Sequence, residues 1–214
     1  VIVVVDQRLS MFFGSRRVMK SVAAAEMAAL VGWKSLSQGD RVGSLIFSDD
    51  SITELPAKAS RQHLMHTFHT LEDYGRRLRQ AETGNSAQLN QALKKLLNSA
   101  GHDALIYVIS DLDGADESTG NYLSALAQHN SVILGFIFDP MEQNLPLGGK
   151  LAVSDGQYQV EVDTSDQHLR DNFGRQFQQR LNQARQFLRA RQVPVLPISA
   201  AQSVESQLMT MMSE

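Results

Sequence analysis

Val1-Ile2-Val3-Val4-Val5-Asp6-Gln7-Arg8-Leu9-Ser10-Met11-Phe12-Phe13-Gly14 opens the chain and reads as a buried strand that ends in a carboxylate. Five β-branched residues in succession, with no polar alternation, mark a strand covered on both faces. Arg41–Phe47, Ala104–Ile109, Val132–Phe138 and Val193–Ile198 have the same character. Stretches of helical spacing separate most of them. Met19 to Leu36 sets Val22, Ala25, Ala29, Trp33 and Leu36 on one apolar face, which an amphipathic reading turns toward the core. Leu89 to Leu97, Asn121 to Gln128, Leu169 to Arg191 and Val204 to Met212 are further helix candidates, and Ser60 is a plausible N-cap for another through His63, Phe68 and Leu71.

Strands alternating with helices predict an α/β fold: a doubly wound, mostly parallel sheet with helices on both faces. Two places break the alternation. Ser48-Asp49-Asp50-Ser51 is a turn signal, after which Ile52–Leu55 returns as an antiparallel edge strand. Leu151–Val153 and Tyr158–Val162, around Asp155-Gly156, read as an inserted β-hairpin.

With 214 residues, 43% of them hydrophobic and 20% charged, the chain fits a single domain over residues 1–214. Its net charge of -3 gives no general attraction to nucleic acid. The absence of cysteine excludes disulfides and thiolate chemistry, and suits a reducing, cytoplasmic compartment. No apolar run is long enough to span a bilayer, so no membrane contact is expected from this segment. Val1 already lies inside an apolar run, so truncation at the N-terminus is expected, and a membrane segment upstream is left open.

Ligands of open parallel sheets bind beyond the carboxyl ends of the strands. Two strands bring acids there: Val5-Asp6 and Ile109-Ser110-Asp111. If the strands are neighbours, Asp6 and Asp111 face one crevice, where two carboxylates need a cation or proton between them. Ser10 and Ser110 would complete an oxygen-lined site suited to Mg²⁺ or Mn²⁺. Simple helix capping by the two acids is the competing reading.

Asp6-x-x-x-Ser10 with Met11 and Gly14 resembles the first loop of a von Willebrand factor A metal-ion-dependent adhesion site. The resemblance extends through Lys20–Ala29, Gly39-Asp40-Arg41-Val42-Gly43, Ile46-Phe47, Ile109-Ser110-Asp111, Asp139-Pro140-Met141-Glu142, Leu145-Pro146 and Asp155-Gly156. Together these resemble the bacterial domain-of-unknown-function family fifty-eight. That resemblance implies a Rossmann-like, von Willebrand factor A-like sheet with its site at the strand ends. It also implies a non-enzymatic protein-binding role beside a MoxR-type AAA+ ATPase in protein assembly or remodelling.

The departures from the adhesion-site pattern bear on metal. Asp6, Ser10, Ser86 and Asp111 are the candidate ligands of a degenerate site, with weak Mg²⁺ or Mn²⁺ binding or none. Arg8 replaces the middle serine of the first loop, and Ala87 stands where a threonine belongs, one residue from Ser86. A guanidinium beside Asp6 and Asp111 would act as an internal counter-ion and repel a divalent cation. Arg8, Met11, Phe12, Arg16 and Asp113 are the candidate partner-binding residues, although Met11, Phe12 and Phe13 read by default as core.

A second class of function competes: a Mg²⁺-dependent phosphohydrolase or nuclease, with Asp6 as nucleophile or ligand and Asp111 and Asp113 as ligands. Against it, Arg8 replaces the second aspartate of haloacid-dehalogenase-like enzymes, and no lysine is obviously placed to meet a phosphoryl group. Phosphate-binding and nucleophile-elbow motifs are absent.

Overall fold

The opening apolar run forms β1 (Ile2–Asp6). In the computed structural model this strand lies inside a six-stranded sheet. The structure describes residues 1–143, 150–154, 159–163, 167, 174–175, 177–179, 181–182, 185 and 193–213. On one side of β1 lies β2 (Val42–Phe47), and on the other β4 (Leu105–Ser110), both parallel to it. The sheet continues through β5 (Ser131–Phe138) to β8 (Val195–Ser199), also parallel. β3 (Ile52–Lys58) closes the other edge, antiparallel to β2. The strand order β3-β2-β1-β4-β5-β8 is the doubly wound, Rossmann-like arrangement with one antiparallel edge strand, as the sequence predicts. β6 (Lys150–Ser154) and β7 (Gln159–Asp163) pair antiparallel as the expected hairpin. Its Asp155-Gly156 turn lies outside the described residues, as does most of the predicted helix from Leu169 to Arg191.

The pleat of β1 divides the core. Val4 faces α3 (Gln88–Ser99) and α4 (Glu117–Leu126), packing among Leu89, Leu93, Ile106, Leu123 and Phe136. Val3 and Val5 face the other way, toward α1 (Lys20–Ser37), α2 (Arg61–Leu78) and the closing helix α6 (Val204–Ser213). All three valines are fully buried, each contributing roughly 1.5–3 kcal/mol.

Two readings change with the structure. α4 begins at Glu117 rather than near Asn121, because Asp116 caps it: its carboxylate accepts from the Thr119 amide at 3.0 Å. The apolar spacing marked only the buried turns of that helix. On α1, the face pressed to the sheet is Ala23, Ala24, Met27, Ala28 and Val31, not the one through Val22 and Trp33. Val22 and Trp33 are 43% and 38% exposed. α1 is apolar nearly all round, and its smaller side chains take the sheet side because they let helix and strands approach closely. At Gly135 on β5, an added Cβ would lie 2.6 Å from Met27 Sδ.

The β2–β3 edge depends on another close approach. A Cβ at Gly43 would meet the backbone nitrogen of Ala57 at 2.9 Å and the carbonyl oxygen of Leu55 at 3.0 Å, where the strand register shifts. Neither backbone atom can swing aside as a side-chain tip would. Gly43→Ala is expected to cost about 1–3 kcal/mol in chemical denaturation. A change under about 0.5 kcal/mol would show that the bulge relaxes freely.

Candidate functional site

Four parallel strands deliver an aspartate to the same edge of the sheet: Asp6 ends β1, Asp49 follows β2, Asp111 follows β4 and Asp139 follows β5. Asp6, Asp111 and Asp139 are completely buried. A buried carboxylate persists only where hydrogen-bond donors or cations answer it.

For Asp6 the cation is Arg8, two residues on and 1% exposed. Asp6 Oδ1 accepts from the Arg8 amide and from Nε, both at 3.0 Å. Oδ2 accepts from Arg8 Nη2 at 2.8 Å and from Ser110 Oγ at 2.7 Å. Arg8 Nη1 reaches outward to the carbonyls of Ser86 at 3.2 Å and Asp113 at 3.1 Å. The guanidinium also lies over the Phe47 ring, 5.6 Å from its centroid. Arg8 is therefore the internal counter-ion that the sequence predicts, although it grips Asp6 and only approaches Asp111, at 3.8 Å.

Asp111 has its own cation. Lys20, the first residue of α1, donates from Nζ to Asp111 Oδ2 and to Glu142 Oε1, each at 2.8 Å. Asp111 Oδ1 accepts from the Asp113 amide at 3.0 Å and from Ser10 Oγ at 3.3 Å. The loop after β4 turns sharply to aim that amide, with Leu112 at φ 57° and Gly114 at φ 71°. Gly114 is needed twice, since a Cβ there would lie 2.4 Å from Ser86 Cβ.

The remaining acids fasten loops. Asp139 accepts from the Ser15 amide at 2.8 Å and Ser15 Oγ at 2.5 Å, tying the segment after β1 to the end of β5. Glu142, on the short helix α5 (Pro140–Gln143), accepts from the Asp139 amide at 3.0 Å. Asp49 accepts from the amides of Leu9 and Asn85, both at 2.6 Å.

Burial works against ionisation of Asp111, but Lys20 and then Arg8 outweigh it and hold the carboxyl at about 2. Burial likewise opposes the charge on Lys20, yet Asp111 and Glu142 raise its pKa above the ordinary lysine value. At Asp6, burial prevails over Arg8 and pushes the carboxyl up.

Of the predicted ligands, Asp6, Ser10 and Asp111 do meet at one edge, but the carboxylate oxygens of Asp6 and Asp111 accept from protein donors, Ser10 Oγ among them. Ser86 contributes its backbone carbonyl rather than its hydroxyl. A divalent cation does not fit this donor set: the positions beside both carboxylates are filled by a guanidinium and an ammonium. Among the described residues no group of three or more histidine, cysteine or acidic side chains is arranged to hold a metal.

The predicted partner-binding residues separate. Arg16 is exposed, Phe12 and Asp113 are half-buried, and Arg8 is buried. Met11 is fully buried beneath the loop, so its core reading replaces the interface one. A lysine does stand at the site, contrary to expectation, but Lys20 is sealed between Asp111 and Glu142. An attacking role for Asp6 would need an oxygen free to reach a substrate, and both are bonded and buried.

A doubly wound α/β domain whose strand-end site is filled by its own cations is the class that fold and site define. The chain belongs to the family described as "Protein of unknown function DUF58", whose model matches residues 1–183. It is similar to uncharacterised proteins of Mycobacterium bovis and Mycobacterium tuberculosis, 29% identical over 173 residues. That match covers 80% of this chain and 53% of theirs, so the chain spans about half the length of those relatives. Among solved structures, its fold is similar to the conserved hypothetical protein BatB from Bacteroides thetaiotaomicron. The TM-score is 0.55 at 14% identity, over 99% of this chain and 94% of that one. An aerotolerance-related membrane protein from Bacteroides fragilis gives 0.52 at 14% identity, over 99% and 96%. No helix among the described residues is long and apolar enough to cross a membrane.

Lys20→Met leaves Asp111 with a weakened counter-charge, and is expected to cost about 3–5 kcal/mol in urea denaturation. Adding Asp111→Asn should recover part of that loss, because the two sites are coupled. Full additivity of the two changes would refute the pairing. The depressed Asp111 carboxyl adds stability that is complete above its ordinary value of 3.8 and lost as pH falls through about 2. Asp6, shifted upward, acts with the opposite sign: its contribution is present below 3.8 and lost as pH rises through its folded value. Between pH 4 and 2, the wild-type unfolding free energy should therefore fall more steeply than that of Asp111→Asn. Equal slopes would sink the assignment.

Proposed function

We propose that this chain is a non-enzymatic protein-binding domain with a degenerate metal-ion-dependent adhesion site, in which Arg8 and Lys20 stand in for the metal. The observation that carries this reading is the double occupation of the strand-end carboxylates by buried cations. An adhesion site that uses metal recruits a partner's carboxylate to complete the ion's coordination. Here the ion network closes on itself, with Glu142 supplying the last carboxylate on Lys20. Recognition then falls to the rim, where Arg16 is exposed and Asp113 and Phe12 are half-buried. The partner we propose is a MoxR-type AAA+ ATPase, with the domain assisting it in assembling or remodelling another protein.

Two measurements test this. In calorimetry, Mg²⁺ and Mn²⁺ are expected to give no saturable heat with the wild-type chain; micromolar dissociation constants would overturn the substitution of metal by Arg8 and Lys20. For the partner, purified MoxR-type ATPase from the same genome is titrated in its ATP- and ADP-bound states. Arg16→Glu and Asp113→Lys should each weaken binding about tenfold, equivalent to about 1.4 kcal/mol, with melting temperature unchanged. Changes at Arg8 or Asp111 would not serve, because both are buried and their loss would disturb folding. Absence of binding in both nucleotide states, or indifference to the rim variants, would reject the reading.

A further inference from the structure

The edge of the sheet opposite Asp6 and Asp111 carries a pair of histidines. His102 lies in the loop from α3 to β4, and His129 in the loop from α4 to β5. Both are exposed, and their ring centroids are 4.6 Å apart, with the planes 31° from parallel. The backbone fixes this approach. Asp103 turns the chain through the left-handed region, at φ 61°, and its amide donates to the His129 carbonyl at 2.8 Å. Beside it, the Ala104 amide donates to Asn130 Oδ1 at 2.9 Å, and the Ser131 amide to the Ala104 carbonyl at 2.9 Å. Asn130 Nδ2 in turn donates to the Leu126 carbonyl at 3.1 Å. The two rings take no part in this lacing: neither imidazole makes a hydrogen bond or ion pair with a described residue.

Two open imidazoles at close range have the ligand chemistry of a transition-metal site. Each ring centre sits about 3.2 Å from an ion it binds, given a metal–nitrogen bond of about 2.1 Å. Two rings at a right angle on one ion are then about 4.5 Å apart, and two at the tetrahedral angle about 5.2 Å. The 4.6 Å between His102 and His129 matches the right angle, that of neighbouring positions in a square-planar or octahedral shell. Nitrogen ligands in a tetragonal shell select Cu²⁺ or Ni²⁺. Turning one nitrogen of each ring toward a shared ion needs only side-chain rotation, and breaks no bond with a described residue.

Electrostatics favours a cation at the same place. α3 ends at Ser99 and α4 at Leu126, each three residues before one of the histidines. Two helix C-termini therefore turn their partial negative charge toward this edge. Among the described residues no third histidine, cysteine or acidic side chain joins the pair as a ligand, so water fills the remaining positions of the shell.

We propose that His102 and His129 form a surface site for a divalent transition ion, Cu²⁺ or Ni²⁺, which they hold at neighbouring positions of its shell. The site lies at the far edge from the strand-end carboxylates and does not rest on the reading above. Mg²⁺ and Mn²⁺, which favour oxygen ligands, do not compete for it.

The test is calorimetric titration of the tag-free chain with nickel chloride, paired with electron paramagnetic resonance of the chain loaded with Cu²⁺. One saturable site per chain is expected, and the Cu²⁺ spectrum should carry splitting from two nitrogen ligands. His102→Ala and His129→Ala should each weaken Ni²⁺ binding about tenfold or more. The double variant should be little weaker than either alone, because one remaining imidazole no longer chelates. Both positions are exposed, so the melting temperature without metal should be unchanged. Replacing His66 and His69 on α2 by alanine is the control, and should leave the affinity as it was. Absence of saturable heat would reduce the pair to a stacking contact and overturn the proposal. So would binding that survives the loss of either histidine, binding lost in the α2 control, or a metal-induced dimer in which two chains share the ion.

Discussion

Two buried ion pairs, Arg8 with Asp6 and Lys20 with Asp111, hold the strand-end edge of this domain together. Each joins parts of the chain that backbone hydrogen bonds do not connect. Arg8 spans from β1 to the loops before α3 and after β4, through the carbonyls of Ser86 and Asp113. Lys20 spans from α1 to the ends of β4 and β5, through Asp111 and Glu142. Removing a carboxylate from water costs several kcal/mol, and the attraction of a well-placed cation roughly offsets it. The gain is better described as definition than as stability, because each cation fixes a loop or a helix start against a particular strand end.

The same network limits what the site can do. Oxygen atoms that would bind a metal or attack a phosphorus already accept hydrogen bonds from the protein. What faces solvent is the frame around them, including Arg16 and the carbonyl-bearing loop at Ser86. A groove between α1 and α2 differs in character: its walls are mainly apolar, with Glu26, Glu72, Arg76 and Arg79 among the residues that line it. A domain with a rigid polar end and an apolar flank presents two unlike surfaces on one sheet.

How far the sequence reveals this depends on the kind of interaction. The β-branched runs of β1, β4 and β5 were legible because burial on both faces excludes polar residues from the whole strand. The role of Arg8 was legible because it lies two residues from Asp6, within reach of a single side chain. Lys20 was not assigned, since its partners Asp111 and Glu142 are distant in sequence and meet it only through the crossover of α1. A signal existed: Lys20 shares a helical face with Ala24, Met27, Ala28 and Val31, a stripe on which a lysine must find a buried acid. Reading the face through Val22 and Trp33 as the core hid it. The acids Asp49 and Asp139 show the same pattern as Asp6, each closely following an apolar strand, but their work is to fix backbone amides.

The closed ion network also bears on how such a chain can change over generations. Its side chains hold one another in place, so single replacements among them are not neutral. Losing Arg8 alone leaves Asp6 buried without its cation, to be answered only by taking up a proton; losing Lys20 alone leaves Asp111 with only the more distant Arg8. Either intermediate loses much of the modest stability that a domain of this size holds. The two ion pairs thus act as a ratchet: cation and carboxylate must change together, whatever selection asks of the surface around them.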